Sequence, residues 1–184
     1  MTRLGWWLLL IFVVVIGGFV LVLRRGTGPA PEPEVATGAL TLPVAGVKPA
    51  DLSDTWGQSR AGGAREHHAI DIVAARGTQV VAAAAGTVEK LFESKDGGHT
   101  VYVRRSDPAW IDYYAHLDSY APDLREGIAV RAGQPIGAVG STGDADPAAP
   151  HLHYEVKRMG AGEKWWQGTN VNPYPILAGH AAAR

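Results

Sequence analysis

His151 and His153 stand two apart in Pro150-His151-Leu152-His153-Tyr154-Glu155-Val156, a stretch with the composition of a strand. Side chains two apart on a strand share a face, so two imidazoles point into one space, about 7 Å apart along the backbone. Convergent imidazoles serve either to bind a transition metal or to set a general base beside one. His67 and Asp71 stand four apart in a segment that reads as extended, and they share a face by the same alternation. With His153 they make a three-ligand set for a catalytic Zn2+, leaving the fourth tetrahedral position to water. Zinc polarises a carbonyl and brings the pKa of such a water down to about 7. His151, one pleat from His153, is placed to take the proton. His116 follows Tyr113-Tyr114-Ala115 at a strand end. As an imidazolium or N–H donor it is placed to steady an oxyanion.

Taken singly, these residues have plainer readings. A lone histidine in a β domain is ordinarily a surface residue or a satisfied core residue, and Asp71 alone would serve as a turn cap. Their joint occurrence in one short domain is what points to a site. His68, His99 and His180 lack such company and read as surface residues. Only His67 of the His67-His68 pair stands an even number of residues from Asp71, which selects it as the ligand.

The elements that must hold these side chains are brief, Val- and Ile-rich runs between frequent Gly and Pro. Strands are predicted over 70–73, 79–83, 87–92, 100–104, 111–116, 136–139 and 151–156. Turn signals such as Asp96-Gly97-Gly98 and Ser141-Thr142-Gly143 fall between them. With no long amphipathic helix in evidence, the domain reads as all-β, an antiparallel sheet or sandwich. The chain has no cysteine, which excludes disulfides and thiolate metal sites. Setting aside Arg3, Arg24 and Arg25 leaves 14 of the 17 basic residues against 18 acidic ones, without a basic patch. Nucleic acid is therefore not an expected partner.

Leu4 to Leu23 is uncharged and mostly apolar, and as a helix it would span about 30 Å, the thickness of a bilayer's hydrocarbon core. Trp6-Trp7 and Arg24-Arg25 flank it as interface anchors would. A transmembrane helix over 4–23 is expected, after a cytoplasmic end over 1–3. A cleaved signal peptide is the alternative, with Val15-Ile16-Gly17 as a weak site. Arg3 against Arg24 and Arg25 does not decide the orientation. Pro29, Pro31 and Pro33 mark residues 24–39 as an extended linker, ahead of a domain over 40–180 and a tail over 181–184.

Several ordered motifs carry a resemblance to a known family. They are Asp54-Thr55-Trp56-Gly57 with Arg60, His67-x-x-x-Asp71-Ile72, and Arg76-Gly77-Thr78-Gln79-Val80-Val81-Ala82-Ala83. Further along stand Tyr114-Ala115-His116-Leu117, Gly140-Ser141-Thr142-Gly143, His151-Leu152-His153-Tyr154-Glu155 and Asn172-Pro173. Over about residues 40–177 the chain resembles the LytM-type, or lysostaphin-like, zinc metallopeptidases. The resemblance implies an open antiparallel sheet of duplicated hybrid motifs with a groove over the metal. It implies zinc ligands at His67, Asp71 and His153, and catalytic histidines at His116 and His151. The implied substrate is the peptide part of bacterial peptidoglycan, which places the C-terminal domain outside the cytoplasmic membrane. Ala69 and Pro150 stand where the family usually has Gly, and the Ala69 methyl is either tolerated or narrows the groove. Asp144 and Asp146, in the loop before His151, would face substrate amines or form a solvated turn, the second reading being preferred. Relatives that have lost zinc ligands activate wall amidases or serve as scaffolds; this chain keeps all five positions. The oligomeric state is not legible.

Overall fold

The structure, a computed structural model, describes residues 40–179. The expected membrane helix, linker and tail, and His180, lie outside the described residues. No helix among the described residues is long and apolar enough to cross a membrane.

A two-residue hairpin, β1 (Ser59–Arg60) and β2 (Arg65–Glu66), precedes the main sheet. Then follow β3 (Ile70–Val73), β4 (Gln79–Val81), β5 (Gly86–Ser94), β6 (Gly98–Arg105) and β7 (Trp110–Tyr120). The last strands are β8 (Ala129–Val130), β9 (Pro135–Val139), β10 (His151–Arg158) and β11 (Thr169–Val171), before a single-turn helix α1 (Tyr174–Leu177). β3 to β11 form one nine-stranded sheet in which every pairing is antiparallel, along the path β11-β10-β7-β6-β5-β8. The all-β expectation holds. All seven expected strands are present, and β3 has the expected bounds. The unforeseen strands β1, β2, β8 and β11 are two or three residues long, too short to display an alternating pattern.

β10 is the strand on which the site is built. Its first half pairs with β3 on one edge, His153 opposite Asp71, and its second half pairs with β11 on the same edge. Its other edge pairs with β7, Tyr154 opposite Tyr114. Alternation divides the side chains of β10 cleanly. Leu152, Tyr154 and Val156 are buried in the core with Ile70, Ile72, Tyr114, Val101 and Val103. His151, His153, Glu155 and Lys157 take the opposite face. Burying side chains of this size stabilises the fold by about 1.5–3 kcal/mol each. Buried Asp112 is satisfied from two sides: Arg105 Nε donates at 2.9 Å and the Tyr154 hydroxyl at 2.8 Å.

β7 changes partner midway. Trp110 to Ala115 pair with β10, and Leu117 to Tyr120 pair with β9. His116 stands at the changeover, with φ at +59°. That left-handed conformation is uncommon outside glycine, although histidine is among the residues that tolerate it best. A bulge against β6 at the same place frees the extra residue from the ladder.

Candidate metal centre and active site

His67, Asp71 and His153 come together at the edge of the sheet. Asp71 and His153 are opposite one another on β3 and β10, so their side chains leave the same face. His67 lies between β2 and β3 and is buried, 4% exposed, whereas its neighbour His68 is exposed. Asp71 Oδ1 is 3.0 Å from His67 Nε2 and 3.2 Å from His153 Nδ1. The two nitrogens are 3.1 Å apart.

Each of the three groups is tied down on its far side. His67 Nδ1 lies 2.8 Å from the Thr55 carbonyl oxygen, which only accepts, so with Nδ1 engaged there Nε2 is the atom that faces Asp71 and is left for a metal. His153 Nε2 donates to Glu155 Oε1 at 3.2 Å, which sets Nδ1 toward Asp71, where it donates in the metal-free protein and is free to coordinate once that proton is lost. Arg60 pairs with Asp71 Oδ2, leaving Oδ1 for the centre, and the Asp71 amide donates to Thr55 Oγ1 at 2.9 Å. Zinc bonds of 2.0–2.1 Å in a tetrahedron put neighbouring donor atoms about 3.3 Å apart. The donor set and spacing fit a zinc ion, with the outer partners that usually orient such ligands.

The charges around His153 point the same way. Burial disfavours its charged form, but Asp71 and Glu155 outweigh that and raise its pKa to about 9. Burial works against ionised Asp71 as well, yet hydrogen bonds from His153 and His67 hold it well below the usual carboxylate range. Glu155, against the pull of burial, is lowered to about 2 by His153 and Lys157. A site that holds a cation this firmly as a proton is suited to hold one as a metal.

His151 and His116 stand beside this centre. Their ring centroids are 5.0 Å apart, and that of His116 is 5.6 Å from that of His153. Both rings spend Nδ1 on backbone carbonyls, His151 on Ala149 and His116 on Thr142, each at 2.8 Å. Nε2 is thus the atom each has left for a ligand, and that of His151 lies 3.8 Å from Asp71 Oδ1. Burial lowers the pKa of His116, keeping the ring neutral at pH 7. Its position is fixed by two interlocked turns. A Cβ on Gly98 (φ +62°) would fall 2.1 Å from Thr142 Oγ1, and one on Gly143 (φ +79°) 2.2 Å from the Asp96 carbonyl. The His116 amide donates to the Gly97 carbonyl at 2.8 Å.

All five expected residues line one cavity of about 570 Å³, with Arg65, Asp96, Tyr113, Asp144 and Asp146 among its walls. Fully buried Ala69 does not line it, so no narrowing by its methyl is seen. Asp146 accepts from the Ala148 amide at 2.8 Å, as a turn residue does, and Asp144 reaches Arg65 across 3.5 Å. His68 is a surface residue that packs on Trp56. His99 is at the surface in part, its side chain 34% exposed, 3.6 Å from Glu93 and packed against the Tyr120 ring. Two supports of the site went unassigned in the sequence. Glu155 was detectable, since it is two residues from His153 and so shares its face. Asn170, whose Nδ2 lies 2.9 Å from both Glu155 Oε2 and the His68 carbonyl, offers no local signal.

Residues 65–173, more than half of the chain and all five site residues, match the family model described as Peptidase family M23. The chain belongs to this family. An L-Ala–D-Glu endopeptidase of Bacillus subtilis is 35% identical over 129 residues, which are 67% of this chain and 38% of the relative. The murein hydrolase activator NlpD of Salmonella typhimurium is 29% identical, over 79% of this chain and 35% of its own. The catalytic domain of lysostaphin from Staphylococcus simulans superposes with a TM-score of 0.57 at 29% identity, covering 68% of this chain and 90% of that domain. The chain thus spans well under half the length of these two curated relatives. The structural likeness establishes the M23 peptidase fold for the described domain.

Proposed function

We propose that this M23 domain is a zinc-dependent endopeptidase that cuts peptide bonds in the stem or cross-link peptides of bacterial peptidoglycan. The observation that carries this reading is the triangle of His67 Nε2, Asp71 Oδ1 and His153 Nδ1, each at 3.0–3.2 Å from the others. These three atoms would hold the zinc, which when bound supplies Lewis-acid polarisation of the scissile carbonyl and acidifies water. The attacking water gives its proton to His151 at Nε2, the atom left to it by the Ala149 carbonyl, and His151 passes that proton to the leaving amine as the C–N bond breaks. With Nδ1 held by the Thr142 carbonyl, His116 presents Nε2 beside the centre, where as an imidazolium, its second proton taken from solvent, it would donate a hydrogen bond to the developing oxyanion. Arg60, Thr55 and Glu155 hold the ligands in orientation, and the backbone carbonyls of Thr142 and Ala149 hold the two mobile-proton rings.

In the same proposal Leu4 to Leu23 anchors the chain in the cytoplasmic membrane, and residues 24–39 tether the domain over 40–180 on the wall side. This rests on sequence: the apolar run, its flanking Trp and Arg residues, and the location of the substrate. A reporter fused after Arg184 that is active only in the cytoplasm would contradict it.

Similarity to NlpD supports a second reading, a non-catalytic activator of wall hydrolases. Digestion of purified peptidoglycan by the chain separates the two. The endopeptidase reading expects new peptide ends that vanish with chelator, return with zinc and fail to form with His151→Ala. The activator reading expects no ends from the zinc-loaded chain alone.

A further inference from the structure

His116 keeps its φ of +59° just where β7 exchanges β10 for β9. A conformation that costs free energy persists only where its surroundings over-determine it. For the His116 ring those surroundings are the turn 140–143, whose Thr142 carbonyl accepts from Nδ1 at 2.8 Å. What fixes that carbonyl is the Thr142 side chain. His99 on β6 and Leu117 on β7 stand opposite one another in the sheet, beside the register shift. The Thr142 hydroxyl bridges them: its oxygen accepts from the His99 amide at 3.0 Å and donates to the Leu117 carbonyl at 2.8 Å. The side chain thus serves as a rung of the β6–β7 ladder at the place where the bulge opens it.

A threonine that only shaped its own turn would bond backbone groups a few residues away. Both partners of the Thr142 hydroxyl lie on other strands, 43 and 25 residues distant. The hydroxyl has one hydrogen to give, and it both donates and accepts here. Turning it away would leave a backbone group of the sheet unpaired, which is costly. Gly98 allows the approach, since a Cβ there would lie 2.5 Å from the Thr142 Cβ. The turn has other anchors that do not touch His116. Arg76 donates to Ser141 Oγ at 3.0 Å, and the His151 amide donates to the Gly140 carbonyl at 3.2 Å.

We propose that Thr142 is a positioning residue for His116: its hydroxyl clips the turn into the opened β6–β7 ladder, and its carbonyl thereby fixes the direction and the tautomer of the ring. The proposal rests on the endopeptidase reading for the step that His116 serves, and not for the clip itself. The hydrogen-bond partners of Thr142 are His99, Leu117 and His116, none of them a metal ligand. Loss of the hydroxyl therefore acts on the rate through His116 and leaves the metal centre as it is.

The test uses the zinc-loaded full chain, with a soluble cross-linked peptide of peptidoglycan as substrate. Thr142→Val keeps the shape and removes both hydroxyl bonds. It is expected to lower kcat by about 10- to 100-fold, the scale of a misplaced catalytic group. KM and zinc affinity should hold, and Thr142→Ser should restore most of the rate. In a His116→Ala background Thr142→Val should cost nothing more in kcat, because the two act through one ring. The tautomer has a readout of its own. Nitrogen NMR of the imidazoles should find the neutral His116 ring with its hydrogen at Nδ1 in the unaltered chain and in Thr142→Ser, and a mixture of tautomers in Thr142→Val. A hydrogen at Nε2 in the unaltered chain would overturn the clip, whichever variants fold. So would an unchanged spectrum in Thr142→Val, a loss of rate that Thr142→Ser shares in full, or a loss that adds to that of His116→Ala. Should the unaltered chain cut no peptide, the endopeptidase reading fails, and the spectra alone decide the positioning role.

Discussion

On β10 and β3 the same eight-residue and four-residue stretches serve two surfaces with opposite requirements. Toward the core, Leu152, Tyr154, Ile70 and Ile72 are at most 2% exposed and make only packing contacts, apart from the Tyr154 hydroxyl on Asp112. Toward the groove, His151, His153, Glu155 and Asp71 are 16–19% exposed at the side chain, and each has at least one of its polar atoms claimed by a neighbour. The core face needs volume and shape, which several apolar residues supply. The groove face needs particular atoms in particular protonation states. A period of two thus lets one strand carry both the core and the candidate site, and it separates the consequences of mutation.

The sharpest break in the comparison is expected at the centre itself. Asp71→Ala removes a ligand and should abolish chelator-sensitive hydrolysis. Zinc affinity measured by competition with a chromophoric chelator should fall by more than the 10–100-fold typical of changes to ligand supports. The metal-free protein should lose some thermal stability too, because the pairs of Asp71 with Arg60 and protonated His153 go with the carboxylate. On the other face of the same strand pair, Leu152→Ala should cost about 2–5 kcal/mol in denaturant unfolding. Zinc affinity of the folded fraction should stay near that of the unaltered protein. If Leu152→Ala weakens zinc as much as Asp71→Ala does, the two faces are not separable.

Glu155→Gln sharpens the contrast within the groove. It leaves the ligands in place but removes the carboxylate that orients His153, and should weaken zinc by about 10–100-fold. A smaller effect follows from protonation. In the metal-free protein His153 is raised from 6.5 to about 9, so it is protonated at pH 7 and must release that proton to coordinate. Zinc uptake at pH 7 should release about one proton, seen as a dependence of calorimetric heat on buffer ionisation enthalpy. Affinity should climb about tenfold per pH unit toward 9. The linked stability has the reverse sign: a raised histidine pKa stabilises the metal-free fold below pH 6.5, and that contribution disappears as pH rises through 9. A flat pH dependence of zinc affinity would contradict this account of His153.

How much of this could be read from the chain follows from the same contrast. Alternation in His151 to Val156 already separates core from groove, and β3 could be delimited because Ile70 and Ile72 flank Asp71. The shared face of His67 and Asp71, and that of His151 and His153, were legible because strand spacing is a local property. Local spacing gave no hint of Asn170, which comes to Glu155 from 15 residues away through the pairing of β11 with β10. Nor could it show that β7 exchanges β10 for β9 at His116, which puts that residue at positive φ and its ring on Thr142. Such features depend on which strands meet, and single-strand periodicity is silent about that.

The central claim is that zinc takes two imidazoles and one carboxylate from this chain, leaving His116 and His151 free to move protons. Zinc K-edge X-ray absorption of the zinc-loaded protein measures this directly. The account predicts two imidazole nitrogens and light oxygen donors at about 2.0–2.1 Å, a spectrum unchanged by His151→Ala and altered by Asp71→Ala. Three or more imidazoles in the zinc shell, or a spectrum indifferent to Asp71→Ala, would contradict it.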